Sequence, residues 1–144
     1  MAKKSFKVDL SHLEKFKIEA KSGSHKMIID QPANGGGEDA GPSPLEYVLT
    51  GLGGCVITMM QVASKRKRVE IKNLKVEVEG VLDTDGLTGK NPDVRTGFEE
   101  VILKVSFDAD MTDEQKIEFI KEAEAKCPAS DNLAHETPVR LILA

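Results

Sequence analysis

The sequence contains no tryptophan, one tyrosine and five phenylalanines, so aromatic side chains make up only 4% of its 144 residues. Proteins that bind single-stranded nucleic acid stack the bases on aromatic side chains, and this chain offers few of them. Its formal net charge of -4 also has the wrong sign for a general attraction to phosphate backbones. These features argue against a nucleic-acid partner.

Long uninterrupted apolar runs are also missing. The most apolar stretch, residues 48–62, is broken by polar residues such as Thr58 and Gln61, and it falls short of the roughly 18 apolar residues of a membrane span. The lysine-rich start resembles the first part of a signal peptide, but Asp9 and Glu14 interrupt any apolar segment that follows. We therefore expect a cytoplasmic protein that does not insert into a membrane.

Cysteine is scarce as well, because Cys55 and Cys127 are the only two. In a reducing compartment, two cysteines argue against a disulfide framework. They leave three interpretations, which are buried apolar side chains, a free thiol or a redox pair. Free cysteine is among the most buried residue types, so inert core residues are the default interpretation from composition.

Alternating apolar and polar side chains predict the strands. Three short antiparallel strands are expected between residues 5 and 30, with a hairpin turn at residues 21–24. The Gly- and Pro-rich residues 31–42 are predicted to be a mobile loop. They lack the Lys-Ser or Lys-Thr pair of a phosphate-binding loop, and neither a cofactor nor a metal is predicted. Further alternation predicts two paired strands and a final strand: residues 74–82, residues 101–107, and Val139, Leu141 and Leu143.

A long helix is predicted from Leu45 to about Lys65. Ser43, Pro44 and Glu46 form the signature of its start, with a capping serine, a proline in the first turn and a glutamate three residues after the cap. Its apolar and small side chains point in almost every direction, so it must be enclosed on all sides. One small subunit cannot provide that enclosure, and we therefore expect a homodimer.

Two shorter helices follow near the C-terminus. Thr112 and Gln115 form a second capping box, which opens a helix that is expected to end at Cys127. Its predicted core-facing residues are Ile117, Ile120 and Ala123. Pro128 favours the start of another short helix, through about Leu133. The order of elements indicates one α+β domain over residues 1–144, with antiparallel sheets around a long buried central helix.

The surroundings of the two cysteines bear on their chemistry. Gly51, Gly53 and Gly54 precede Cys55 inside the predicted helix, at a cost of roughly 1 kcal/mol each relative to alanine. Such a cost is explained either by tight packing against the helix or by close approach of a substrate. Backbone N–H groups of the helix after Cys127 can stabilise a thiolate there. If the two cysteines face each other, a sulfenic acid on one can condense with the other into a disulfide.

Three segments carry a resemblance to a known family. Residues 42–46, 52–55 and 127–130 are similar to motifs of the OsmC/Ohr family of organic hydroperoxide reductases. The resemblance implies an intertwined homodimer of α+β subunits. It also implies that Cys55 is the peroxidatic cysteine and Cys127 the resolving cysteine. The expected partners are a small organic hydroperoxide and a dithiol reductant such as a dihydrolipoyl protein.

Two features depart from the family pattern. The functional glutamate of the peroxidases directly follows a proline, whereas here Leu45 does so and Glu46 comes one residue later. Glu46 is retained as a candidate active-site carboxylate, although its capping role also explains it. The family pairs its thiolate with an arginine from the N-terminal part of the chain, but no arginine precedes Arg66. The lysines that can supply charge instead are Lys15, Lys17 and Lys26.

The sequence thus predicts a thiol-dependent peroxidase that reduces organic hydroperoxides through a sulfenate and disulfide cycle of Cys55 and Cys127. Apolar surface from Leu52, Val56 and Met59 around Cys55 is expected to favour organic peroxides over hydrogen peroxide. Two alternatives stay open. One is a non-catalytic protein that binds a small hydrophobic ligand, and the other is a redox sensor that uses the same disulfide.

Overall fold

The first sheet forms from the alternating segment near the N-terminus. In the computed structural model, which describes residues 2–144, β1 (Asp9–Glu14), β2 (Lys17–Ser22) and β3 (His25–Ile29) pair antiparallel in that order. Gly23 has a φ of +58° in the turn between β2 and β3, a conformation that glycine adopts without steric cost. The three predicted strands and the hairpin are confirmed, although β1 begins at Asp9 rather than near residue 5.

A buried carboxylate holds residues 31–42 in place. The Asp30 side chain is only 1% exposed and accepts hydrogen bonds from the backbone N–H groups of Gln31, Glu38 and Ala40 at 2.8, 3.2 and 3.1 Å. Burial disfavours its charge, but the three N–H donors outweigh this effect and lower the pKa of Asp30 below its ordinary value. The segment is the predicted loop, and Asp30 supplies contacts to it that composition does not reveal; its mobility stays a prediction.

The long helix α1 covers Pro44–Lys67 and begins at the predicted capping box. The Ser43 N–H donates to Glu46 Oε1 at 3.2 Å, and the Glu46 N–H donates to Ser43 Oγ at 3.4 Å. A 3₁₀ turn, Ala33–Gly35, is the short helical segment before it. The buried residues of α1 form one stripe: Leu52, Gly53, Val56, Met60 and Ala63. The sequence predicts a helix buried on all sides, but in the single chain its other apolar faces are open, with Leu45, Val48 and Val62 40–51% exposed.

Helix α1 also has the length and composition of a membrane span. It has 24 residues, and one 18-residue window reaches a mean hydropathy of 1.4. The apolar residues of this segment are interrupted as the sequence predicts, but threonines and glycines lower the mean hydropathy less than charges do. Core helices of globular proteins pass the same test, and 28% of this window is buried inside the fold. The helix thus has an apolar core face that accounts for part of its hydropathy.

The second sheet consists of two long antiparallel strands. β4 (Lys72–Leu82) pairs with β5 (Phe98–Asp108), and Val78 lies opposite Leu103. The predicted pairing is confirmed. The link between the strands contains a short helix that the sequence did not predict, α2 (Thr84–Leu87), which begins after Asp83. The Asp83 carboxylate accepts a hydrogen bond from the Asp85 N–H at 2.8 Å and so caps this helix.

Two helices follow the second sheet. α3 (Asp113–Glu124) begins at the predicted capping box of Thr112 and Gln115, and α4 (Pro128–Ala134) begins directly after Cys127. The prediction that the first of them ends at Cys127 is wrong, because α3 stops at Glu124. The buried residues of α3 are Phe119 and Ala123, each 3% exposed, whereas Ile117 is 52% exposed. The core stripe therefore runs through Phe119, Ala123 and Cys127 at four-residue spacing, and the prediction that Ile117 faces the core is wrong.

The predicted final strand does not form. Residues 136–144 contain no regular secondary structure, and the side chains of Val139, Leu141 and Leu143 are 86%, 93% and 99% exposed. The alternation of apolar and polar residues is typical of a strand, but a strand forms only when its backbone groups pair with a neighbouring strand. Among residues 2–144, no strand pairs with residues 136–144.

The chain divides into two compact units, one up to Val48 and one of Leu49–Ala144. In the first unit, Ala20 and Asp30 are almost fully buried. The second unit contains the larger apolar core, which α1, β5, α3 and the start of α4 supply: Leu52, Val56, Met60, Ala63, Phe107, Phe119, Ala123 and Cys127. The observed architecture is the predicted α+β class with two antiparallel sheets and one long helix.

Candidate functional site

Cys55 and Cys127 lie side by side in the second unit. Cys55 is half-buried on α1, and Cys127 is only 2% exposed at the N-cap of α4. Cys127 belongs to the buried core, and Cys55 packs against that core. The Cys55 side chain acts on the pKa of the Cys127 thiol, so the two thiols are neighbours, and both are free. The fold therefore brings together two residues that the sequence could only mark separately.

The local environment of Cys127 acts on its charge in two directions. Burial raises the pKa of the Cys127 thiol, and the hydrogen bond to the Cys55 side chain raises it further. The backbone N–H groups of Ser130 and Ala129 act the other way, because both donate toward the sulfur. The Ser130 nitrogen lies 3.5 Å from Cys127 Sγ. Burial prevails, so the thiol form of Cys127 is favoured over the thiolate in the reduced protein.

The three glycines before Cys55 have different surroundings. A Cβ on Gly53 would lie 2.9 Å from Val78 Cγ2 of β4, so this glycine permits the close packing of α1 on the second sheet. Among the described residues, nothing outside the helix lies within 4 Å of a Cβ built on Gly51 or Gly54. Tight packing therefore explains Gly53, while the other two glycines face open space in the single chain.

The observed surroundings of Cys55 differ from the predicted apolar surface. Leu52 and Val56 are 3% and 0% exposed and belong to the packed core, so their side chains cannot offer surface to an alkyl group. Met59 is half-buried and packs against the same core. The prediction that Leu52 and Val56 line an apolar surface beside Cys55 is therefore wrong. Leu52 and Val56 are close to Cys55 in the sequence, but their side chains are buried in the core.

Glu46 lies in the first unit and has a capping role there. Its carboxylate accepts hydrogen bonds from the hydroxyl and the backbone N–H of Ser43, at 2.7 and 3.2 Å. The hydroxyl and then the N–H lower the pKa of Glu46 below its ordinary value. These contacts hold the first turn of α1 together. The place of Glu46 as an active-site carboxylate stays a prediction.

The N-terminal lysines that could replace the missing arginine are partly engaged. Lys15 and Lys17 form ion pairs with the two oxygens of the Glu38 carboxylate, at 3.1 and 2.6 Å. The hydrogen bond from Lys17, followed by that from Lys15, lowers the pKa of Glu38. Lys26 is an exposed residue of β3. Within the first unit, Lys15 and Lys17 thus bind the anchored segment 31–42.

Sequence reasoning did not identify Ser130 and Glu124 as parts of the site. The Ser130 hydroxyl donates a hydrogen bond to Glu124 Oε1, and the Ser130 N–H donates to Cys127 Sγ. The position of Ser130 could have identified it, because it lies three residues after the N-cap Cys127. At that position the backbone N–H donates to the side chain of the N-cap residue. Across residues 2–144, no three His, Cys, Asp or Glu side chains are grouped so that they could hold a metal ion.

Comparison with known proteins identifies the family. Residues 35–142 match the family described as OsmC-like protein. The chain belongs to the OsmC-like family. The matched range includes both cysteines and covers more than half of the chain. No curated protein matches the sequence.

Solved structures of this family share the fold at low sequence identity. An OsmC-like protein from Mycoplasma pneumoniae is 22% identical with a TM-score of 0.80, over 94% of this chain and 91% of that one. An OsmC-like protein of unknown function from Vibrio cholerae is 13% identical with a TM-score of 0.75, over 94% and 96%. The organic hydroperoxide resistance protein OhrB of Bacillus subtilis is 18% identical with a TM-score of 0.59, over 92% of each chain. These likenesses establish the OsmC-like fold.

Proposed function

We propose that this protein is a thiol-dependent peroxidase that reduces organic hydroperoxides with Cys55 and Cys127. The observation that carries the proposal is that the only two cysteines of the chain are neighbours at one apolar core, with Cys127 inside it and Cys55 packed against it. Membership of the OsmC-like family supports it, as does the fold shared with a protein named for organic hydroperoxide resistance. The chemistry needs two thiols within reach of each other, and the fold supplies them.

The proposed cycle has three steps. The Cys55 thiolate attacks the terminal peroxide oxygen and the O–O bond breaks, so that Cys55 becomes a sulfenic acid and the alkoxide takes up a proton to leave as an alcohol. The Cys127 sulfur then attacks the sulfenic sulfur, a disulfide forms, and the oxygen leaves as water. A dithiol, for which we propose a dihydrolipoyl protein, reduces the disulfide to two thiols and is itself oxidised to a cyclic disulfide.

The difference in exposure between the two cysteines supports their assigned order. Cys55 is half-buried and can meet a substrate, whereas Cys127 is 2% exposed. We therefore propose that a peroxide reaches Cys55 first and that Cys127 reacts with the product of that step. Glu46 is proposed as an active-site carboxylate on the family resemblance alone, since its contacts with Ser43 give it a complete structural role.

We further propose that the protein works as a homodimer in the cytoplasm. Many large apolar side chains are exposed in the single chain: Phe6, Leu10, Leu13, Phe16, Val48, Val62, Val139, Leu141, Ile142 and Leu143. Large apolar side chains left open to solvent in this number favour an interaction partner. A second copy of the chain would cover such surface and enclose the open faces of α1.

The proposal is tested by intact mass and by turnover. After one equivalent of cumene hydroperoxide, we expect the protein to lose the mass of two hydrogen atoms, the signature of one disulfide, and cumyl alcohol to appear in equal amount. With a reduced lipoyl protein present, peroxide consumption should continue for many cycles. Formation of the disulfide without catalytic turnover would instead support the redox sensor, and an unchanged mass would support a non-catalytic binding protein.

A further inference from the structure

Ser130 connects the sulfur of Cys127 to a carboxylate on the preceding helix. Its backbone N–H donates to Cys127 Sγ at 3.5 Å, while its hydroxyl donates to Oε1 of Glu124. Glu124 is the last residue of α3, and Ser130 lies in the first turn of α4. The bond between their side chains therefore ties the two helices together on either side of Cys127.

We infer that Glu124 and Ser130 are positioning residues that hold a backbone N–H on the sulfur of Cys127 and thereby set how readily Cys127 closes the disulfide. The inference rests on the proposed function, because disulfide closure is its second step. It assigns to the pair no contact with the peroxide. Both residues act through Cys127, and the reaction of Cys55 with peroxide does not involve them.

The first turn of α4 explains why this single N–H matters. Pro128 has no N–H, so the donors available to the Cys127 sulfur come from Ala129 and Ser130. Cys127 lies in an apolar core, where an uncompensated thiolate is disfavoured. The groups that act on it are the Cys55 side chain on α1 and these two N–H groups of α4. If the first turn of α4 rotated away from the sulfur, the Cys127 thiolate would lose the two N–H donors that favour it. The burial that disfavours it would remain.

The bond to Glu124 restrains that rotation. A hydroxyl hydrogen bond to a carboxylate is charge-assisted and stronger than one between neutral groups. It fixes the Ser130 side chain, and with it the residue whose N–H faces the sulfur. It also satisfies one oxygen of the Glu124 carboxylate.

The first experiment measures the rate of disulfide closure after rapid oxidation of Cys55. Ser130→Ala and Glu124→Ala should each slow closure roughly threefold to tenfold, the factor expected for the loss of one hydrogen bond. The rate at which Cys55 is first oxidised should not change. Ser130→Thr keeps a hydroxyl and Glu124→Gln keeps an acceptor, so both should retain most of the rate. Glu118→Ala, on the exposed face of the same helix, is the matched control.

The double variant Ser130→Ala with Glu124→Ala decides whether the two residues act as one unit. If they do, the double variant closes the disulfide no more slowly than either single variant. Fully additive effects, closure at the wild-type rate in Ser130→Ala, or failure of Ser130→Thr to restore the rate would each overturn the inference. Circular dichroism of every variant confirms that the fold is retained.

A second measurement separates this inference from the proposed function. In a Cys55→Ser background, Cys127 is the only cysteine, and the ultraviolet absorbance of its thiolate can be followed against pH. Adding Ser130→Ala should move the titration of Cys127 to higher pH, while adding Ser130→Thr should not. This result would uphold the positioning role even if the wild-type protein reduces no peroxide. An unmoved titration overturns the role even if the protein is an active peroxidase.

Discussion

Cys55 on α1 and Cys127 at the N-cap of α4 are neighbours at one apolar core, but they differ in exposure. Cys55 is half-buried, and Cys127 is 2% exposed. The half-buried Cys55 can meet a substrate, whereas the buried Cys127 can meet only its neighbour. This asymmetry gives the two cysteines different roles in the reaction, which substitution of each can test.

Substitution of the two cysteines should give two different defects. Cys55→Ser should abolish peroxide reduction, because no other thiol of the chain is open to the substrate. Cys127→Ser should allow one fast oxidation of Cys55 and then stall, since its sulfenic acid must wait for an outside thiol. Stopped-flow measurement of peroxide loss per thiol separates a burst from steady turnover. Equal residual turnover in both variants would contradict an ordered pair.

The rate of disulfide closure should depend on pH through Cys127. Burial and the hydrogen bond to Cys55 raise the pKa of the Cys127 thiol, so at neutral pH the reactive thiolate is a small fraction. We expect closure to accelerate as pH rises from neutrality through the ordinary range of a thiol, and to keep rising beyond it. Quenched-flow alkylation followed by mass measurement gives this rate at each pH. A closure rate that is constant from pH 6 to about 9 would show that Cys127 is already ionised.

The glycines before Cys55 provide a matched pair for a stability test. Gly54→Ala adds a methyl group where no described residue outside the helix lies within 4 Å, so helix propensity should stabilise the isolated chain by up to about 1 kcal/mol. Gly53→Ala places a methyl group 2.9 Å from Val78 Cγ2, and overpacking of this kind costs about 1–3 kcal/mol. Urea unfolding should therefore give Gly54→Ala a higher free energy of unfolding than the wild type. Gly53→Ala should have a lower free energy of unfolding than Gly54→Ala.

The same pair of variants reports on what covers the open face of α1. If a second copy or a substrate approaches Gly54 closely, Gly54→Ala should lose the expected gain in stability in the dimer or should lose activity. A Gly53→Ala variant as stable as Gly54→Ala would contradict the close packing of α1 against β4.

The chain should sediment as a dimer at micromolar concentration. Residues 139–143 carry four apolar side chains that are 74–99% exposed, and the alternation there suits a strand that needs a partner edge. Deletion of residues 137–144 should therefore weaken the dimer, whereas deletion of residues 2–5, which carry no large apolar side chain, should not. Analytical ultracentrifugation measures both. A monomer with an ordinary cooperative melt would contradict the dimer.

Local signals in the sequence were sufficient for most of the secondary structure. Thr112 with Gln115, and Ser43 with Glu46, mark the starts of two helices because a cap needs only a side chain that can reach a backbone N–H three residues away. Gly23 marks the hairpin for a similarly local reason, since it alone supplies the positive φ of the turn. The pairing of the two long strands also followed from alternation, because they are consecutive strands of the same pattern, although the link between them contains a helix.

Long-range packing decided the remainder. The anchoring of residues 31–42 depends on a carboxylate that becomes buried only when the first sheet folds, and composition alone predicted mobility. The predicted strand at Val139 does not form because strand pairing requires a neighbour, and residues 2–144 of the single chain provide none. Above all, sequence motifs marked Cys55 and Cys127 separately. Only the packing of α1 against α3 and α4 around a common apolar core determines that the two sulfurs meet, since the distance between residues far apart in sequence is fixed by side-chain volume and burial rather than by spacing.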